Sequence, residues 1–253
     1  DRHPATPDPR APPHAMSERF FLAAPPRDGR GILEGDEARH CSRVLRVKLG
    51  DVISVFDGRG SEWPARVAGI GRDAVTLDLG EPRPAEPATP IRLTLAVARP
   101  KGARQKWLVE KSSDLGVTRL VQLITERGVA EATDAARARL ERAVIEACKQ
   151  CGRNTLMEIA APATVGELAA RHPASLRLIA HPGGAPLGDQ PIATSGRDVQ
   201  EIVAAIGPEG GFTPEEFHLA TAAGFLPVSL GAHILRVETA AIALAAWKRL
   251  SIA

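Results

Sequence analysis

Two glycine-bearing stretches near the carboxyl end of the chain, IGPEGG at 206–211 and LGAHILRVETAA at 230–241, could do chemistry. Each begins at the end of an apolar run and leads into a helical pattern. Glycine-rich turns after strands approach a ligand with bare backbone, and phosphate is the commonest such ligand. Glu209 sits inside the first turn and neither stretch holds a lysine, so a polyphosphate suits them poorly. A neutral adenosine carrying a cationic sulfonium suits them better. Ligands of open α/β sheets bind beyond the carboxyl ends of the strands. The two loops are therefore expected side by side, with Gly207, Gly210, Gly211 and Gly231 removing bulk from a backbone-lined seat for S-adenosylmethionine.

Other chemistries lack their residues. No Gly-x-Gly-x-x-Gly or Walker-type loop occurs, and no Gly-x-Ser-x-Gly elbow. The histidines show no His-Glu-x-x-His spacing, and Cys148 and Cys151 have no second pair to complete a zinc site, so no metal is expected. Three cysteines make no disulfide framework, which fits a reducing cytoplasm. No apolar run is long enough for a membrane span, and the formal net charge of +2 leaves any nucleic-acid affinity to local patches.

The elements that must position these loops fall into two parts. Residues 1–16 are proline-rich and aperiodic and read as a disordered extension or cloning remnant. Residues 17–80 hold short β-type runs at 19–22, 51–56, 62–70 and 74–79, with DGRG at 57–60 as a hairpin turn, so a small barrel or sandwich is expected there. Within it, residues 36–51 have helical spacing, with Arg39, Arg43 and Arg46 on one face. EPRPAEPATP at 81–90 holds four prolines and reads as a semi-rigid linker. From 91 to 253 strand and helix patterns alternate, which argues for a largely parallel α/β domain. Strands are expected at 91–98, 117–124, 176–180, 201–207 and 226–231, and helices at 102–115, 135–150 and 237–249. Thr213, Pro214 and Glu216 spell a capping box just after the first glycine turn.

The chain resembles the bacterial 16S ribosomal RNA uracil-N3 methyltransferases of the SPOUT superfamily. The shared blocks are HCSRVLRVKLGD, FDGRG, KGARQKWLVEKSSDLGV, TERG, EACKQCGRN, IGPEGGFTPEE and LGAHILRVETA, in that order from about Arg39 to Ala240. Val237 stands where that family often has threonine, and Leu140 where some relatives have an aromatic residue. The resemblance implies an N-terminal PUA-like β-barrel, a C-terminal SPOUT α/β domain with a deep trefoil knot, and a homodimer. It also implies transfer of a methyl group to N3 of one uridine of the small-subunit RNA.

Uracil N3 must lose a proton as it attacks, so a positive group beside the developing anion and a proton acceptor are needed. Arg236 is expected in the first role and Glu209 in the second. Gly207, Gly210, Gly211, Leu230, Gly231, Ile234, Leu235, Thr239 and Ala240 are expected at the cofactor. For RNA, Arg39, Arg43 and Arg46 form one basic face, and Lys101, Arg104 and Lys111 form another. Gln150 and Arg153 match family positions near the active site. Two alternatives remain open: a SPOUT enzyme for another RNA, and a non-catalytic RNA-binding protein of the same fold.

Overall fold

A computed structural model describes residues 18–84, 91–100, 102–128, 133–173, 175–189 and 199–251. The N-terminal extension, most of the proline-rich segment and Lys101 lie outside these described residues. The chain divides into two compact units, Asp1–Glu86 and Pro87–Ala253.

In the first unit five strands form one sheet in the order β1-β3-β4-β5-β2. They are β1 (Arg19–Phe21), β2 (Arg30–Glu34), β3 (Val52–Phe56), β4 (Glu62–Ile70) and β5 (Ala74–Leu79). One sheet curls around one core, in which Phe20, Leu22, Leu33, Val55, Val67 and Leu77 are buried. The DGRG turn joins β3 to β4 as expected, with Asp57 accepting from the Arg59 and Ser61 amides. Strand β2 escaped the sequence reading because Gly31 and the flanking charges interrupt its apolar signal. It pairs antiparallel with β5, and Gly31 leaves room for the Leu22 methyl groups.

The helix expected over 36–51 is a correction. Helix α1 covers only Gly35–Arg39 and widens into a π-type turn at His40–Val44. The Ser42 hydroxyl donates back to the Ala38 carbonyl, and the Val47 amide reaches the Cys41 carbonyl. The widened turn keeps Ala38 and Cys41 buried while Leu45 and Val47 also reach the core. Arg46 then takes a left-handed conformation outside any helix, so Arg39, Arg43 and Arg46 do not share a helical face. Burial, then the Glu37 and Asp51 carboxylates, push the Cys41 thiol up to about 11, which makes it a core side chain and not a nucleophile.

The second unit is a six-stranded parallel sheet in the order β11-β9-β10-β6-β7-β8. Its strands are β6 (Arg92–Ala98), β7 (Arg119–Leu123), β8 (Glu158–Ala163), β9 (Leu176–Pro186), β10 (Glu201–Ile206) and β11 (Leu226–Ser229). Its helices are α2 (Arg104–Asp114), α3 (Asp134–Cys151), α4 (Val165–Arg171), α5 (Pro214–Ala222) and α6 (Val237–Ser251). Ala96, Val121, Val203 and Ala205 face α4 and α5, packing on Leu168, Ala220 and Phe225. Alternation along the strands turns Leu95, Val97, Ala204 and Ile206 to the other face, where α6 packs on β6 and β10 and α2 packs on α3 and α6.

Two elements here had no sequence expectation. Strand β8 carries Pro162 and several alanines, weak strand formers that an edge strand tolerates where the register shifts beside β7. Helix α4 is short, but Thr164 and Glu167 cap it reciprocally. Strand β9 runs past the expected end at Ala180, through two glycines and two prolines, to Pro186. There the backbones of β9 and β11 close in: a Cβ on Gly184 would lie 2.5 Å from Val228 N and from the Pro227 carbonyl carbon. Gly184→Ala must force the strands apart. It is expected to destabilise this unit by about 1–3 kcal/mol, the usual cost of overpacking, and a thermal melt beside the parent protein checks it.

Candidate active site

The candidate site is built at the carboxyl edge of the parallel sheet. Strand β10 ends at Ile206, and residues 207–213 lead into α5. The Gly211 amide closes a turn onto the Pro208 carbonyl at 2.8 Å, with Gly211 at φ +71°. The Phe212 ring packs where a side chain at Gly207 would stand. Thr213 then caps α5, accepting from the Glu216 amide while Glu216 Oε2 accepts from the Thr213 amide. This is the capping box read from the sequence.

The same glutamate does more. Its Oε1 accepts from the Glu126 amide at 2.8 Å, in the loop after β7. Next door, Arg127 Nη1 donates to the Gly210 carbonyl at 2.7 Å. The TERG segment thus braces the glycine turn from outside. Neither contact was foreseen, because a pairing across the chain leaves no local pattern.

The second loop, 230–236, leaves β11 and enters α6. The loops leave strands that are not neighbours, since β9 lies between β10 and β11. Its extension contributes the missed segment, where His181 stacks on Phe217 of α5 with ring centroids 4.3 Å apart. Ser229 bonds locally to Gly231, which sits at φ +117°, a region open essentially to glycine. Leu230 and Leu235 are half-buried, whereas Ile234 is 89% exposed, an apolar side chain left uncovered. Thr239 is exposed, and Ala240 is buried in the first turn of α6, its amide bonded to the Arg236 carbonyl.

Arg236 is exposed and forms no ion pair among the described residues. Glu238, two residues on, has Arg104 Nε at 3.5 Å from Oε1, while its buried Oε2 has no hydrogen-bond partner. Glu209 is exposed at the tip of its turn, and Gly210 beside it is exposed too. No group of three or more side chains able to hold a metal occurs among the described residues.

The basic residues are less free than their spacing suggested. Arg39 pairs with Asp36, Lys111 with Asp114 at 2.8 Å, and Arg104 with Glu238. The Asp114 hydrogen bond and charge hold the Lys111 ammonium above its usual range. Arg43, Arg46 and Gln150 are exposed. Arg153 corrects an expectation: it is buried, and its Nη1 donates to the Ser113 and Val117 carbonyls at 3.2 and 2.8 Å. It ties the end of α2 to the approach of β7 and faces no open surface. A cavity of about 280 Å³, walled by Val97, Val109, Leu120, Leu140 and Ile159, lies under the start of α3.

Comparison with known proteins decides the family. The profile described as an RNA methyltransferase domain matches residues 87–249, and one described as an RNA methyltransferase PUA domain matches 33–80. The chain belongs to this RNA methyltransferase family. The ribosomal RNA small subunit methyltransferase E of Synechocystis is 36% identical over 207 residues, 81% of this chain and 67% of that protein. The protein of that name from Neisseria gonorrhoeae, solved bound to S-adenosyl methionine, superposes with a TM-score of 0.83 at 32% identity, covering 93% of this chain and 98% of that one. A methyltransferase from Legionella pneumophila, solved with bound SAM, gives 0.83 at 30% identity over the same shares. Among the described residues no helix is long and apolar enough to cross a membrane.

The bracing contact is testable in this RNA methyltransferase. Arg127→Ala should speed hydrogen exchange at Gly210 and Gly211 while shifting stability within about 0.5 kcal/mol, as for an exposed substitution. Exchange mass spectrometry over peptides spanning 206–213 reads it.

Proposed function

We propose that this protein transfers a methyl group from S-adenosylmethionine to N3 of one uridine in 16S ribosomal RNA. The observation that carries the reading is the pair of backbone-lined loops at the carboxyl ends of β10 and β11, the first held by Arg127 and Glu216. The residues fit the cofactor. Gly210 and Gly211 open the first loop, and the uncovered Ile234 with half-buried Leu230 and Leu235 offers apolar walls to an adenine. Glu209 is the one acid in the first loop, where a sulfonium cation is tolerated. Gly207, Gly231, Thr239 and Ala240 complete the contacts. The family relationship and the two SAM-bound relatives support the same assignment.

When bound, the cofactor supplies an electrophilic methyl group on sulfur. The protein's own work is to hold the uracil in line, receive the N3 proton and steady the charge that grows on the ring. Arg236 is the group for that charge: it stands exposed between the loop and α6, with no carboxylate partner among the described residues. Glu209 or solvent at the open turn takes the proton. Arg43, Arg46, Lys101 and Gln150 contribute RNA contacts, while Arg39, Arg104 and Lys111 must first leave their carboxylate partners. Two copies pair, and the last loops are threaded as a trefoil knot. The strand order β11-β9-β10 supports such a path. Comparing methylated uridines in 16S RNA from cells with and without the gene, by mass spectrometry, tests the reading. An unchanged map refutes it.

Gly231→Val places a branched side chain in a left-handed backbone. It should weaken S-adenosylmethionine binding far more than it lowers the melting temperature, as read by calorimetry on the folded variant.

Arg236→Ala should lower single-turnover methylation by about 10²–10³-fold, the scale of losing one electrostatic donor. Cofactor and RNA affinities should change far less. Partial rescue by Arg236→Lys assigns the effect to charge, and no rescue assigns it to the planar fork.

A further inference from the structure

Helix α4 has seven residues, roughly 10 Å at 1.5 Å per residue. It packs on one face of the sheet through Val165 and Leu168. Alternation carries that face downward from Ala96 to Thr94 and Arg92, from Val121 to Arg119, and from Val203 to Glu201. Glu158 of β8 stands beside Arg119, and Arg92 stands beside Glu201. Together with Thr118, Arg171 and His172 these side chains line a cavity of about 390 Å³. It lies at the opposite end of the strands from the loops 207–213 and 230–236.

The charges in this cavity do not cancel. Glu158 accepts from Arg119 Nε at 2.8 Å. Glu201 accepts from the Thr94 hydroxyl at 3.1 Å and lies 2.9 Å from His172 Nδ1. Both acids are thus engaged. The Arg92 and Arg171 side chains have neither a hydrogen bond nor a carboxylate within ion-pair distance among the described residues. The acid nearest Arg171 on its own helix, Glu167, is committed to capping Thr164. Two unpaired guanidinium groups at a polar cavity match a multidentate oxyanion, and arginine forks suit phosphate oxygens. The cavity also leaves room for the atoms attached to such a group.

We propose that this cavity is a phosphate-binding site, filled by a phosphoryl group that is either free or part of an RNA backbone. It is independent of the methyl-transfer site, and its success or failure does not depend on that assignment.

The test uses the full chain. Inorganic phosphate is titrated at constant ionic strength against chloride, followed by amide NMR shifts near Arg92, Arg119, Arg171 and Glu201. Saturable shifts are expected, weakened at least tenfold in Arg92→Gln/Arg171→Gln, with S-adenosylmethionine affinity and circular dichroism unchanged. In parallel, the salt dependence of binding to a 16S RNA fragment is compared for the two proteins. A slope lower by about one unit in the variant identifies a backbone phosphate as the occupant. Saturable phosphate binding with an unchanged slope identifies a free anion. If phosphate behaves as chloride does and the slopes coincide, the cluster is only a network of ion pairs and the proposal falls. Arg171→Gln alone, at the exposed last residue of α4, provides the same comparison if the double variant misfolds.

Discussion

The carboxylate of Glu216 is the junction on which the carboxyl edge of the sheet depends. One oxygen closes the cap of α5, and the other holds the backbone of Glu126, ninety residues away in sequence. Arg127 adds a charged hydrogen bond to the Gly210 carbonyl from the same segment. Loops at the carboxyl edge of an α/β sheet are otherwise free to wander, because the strands fix only their first residue. Here the helix start, the glycine turn and the loop after β7 are held as one piece. The turn can then expose Glu209 and Gly210 without losing its shape, which is what a backbone-lined binding surface requires.

The sequence was most legible where the physics is local. The capping box at Thr213–Glu216, the hairpin at Asp57 and the alternation of strands and helices beyond residue 91 all appear as read. What it could not carry is pairing at a distance. The place of β9 between β10 and β11 is decided by which strands bury each other's faces, and no local pattern announces it. The basic segment at 39–46 failed for another reason. Helical spacing there competes with the demand that Ala38, Cys41, Leu45 and Val47 all meet one core, and the core wins by opening a π-type turn. Strand β8 was hidden by its composition, since only a neighbour on one side makes Pro162 tolerable.

Charge patterning proved the least reliable guide to surfaces, and the structure shows why. A run of arginines and lysines says nothing about the acids folded against it. Arg104 meets Glu238 from another helix, and Arg153 is spent on two backbone carbonyls inside the unit. Buried Lys248 illustrates the cost of the reverse arrangement. Desolvation, then the charges of Arg249 and Arg153, hold its ammonium below the usual range. Surface lysines and arginines whose partners are close and exposed contribute little to stability, so their pairing reports mainly on which cations are available to a ligand.

The division of labour along the strand axis follows from these constraints. The middle of the central strands β6 and β10 is buried on both faces, and positions such as Leu95, Ala96, Val203 and Ala204 admit only apolar side chains. Polar chemistry is therefore confined to the two ends. At the carboxyl end it is carried by backbone and by a few side chains on loops, with glycine removing steric bulk. At the amino end the side chains of the strands themselves, Arg92, Thr94, Arg119 and Glu201, line a polar cavity with Arg171 and His172 at the end of α4. Lengthening α4 by a turn would extend its cover toward that end and close part of this surface. The end of one helix thus borders the polar surface at the far end of the sheet.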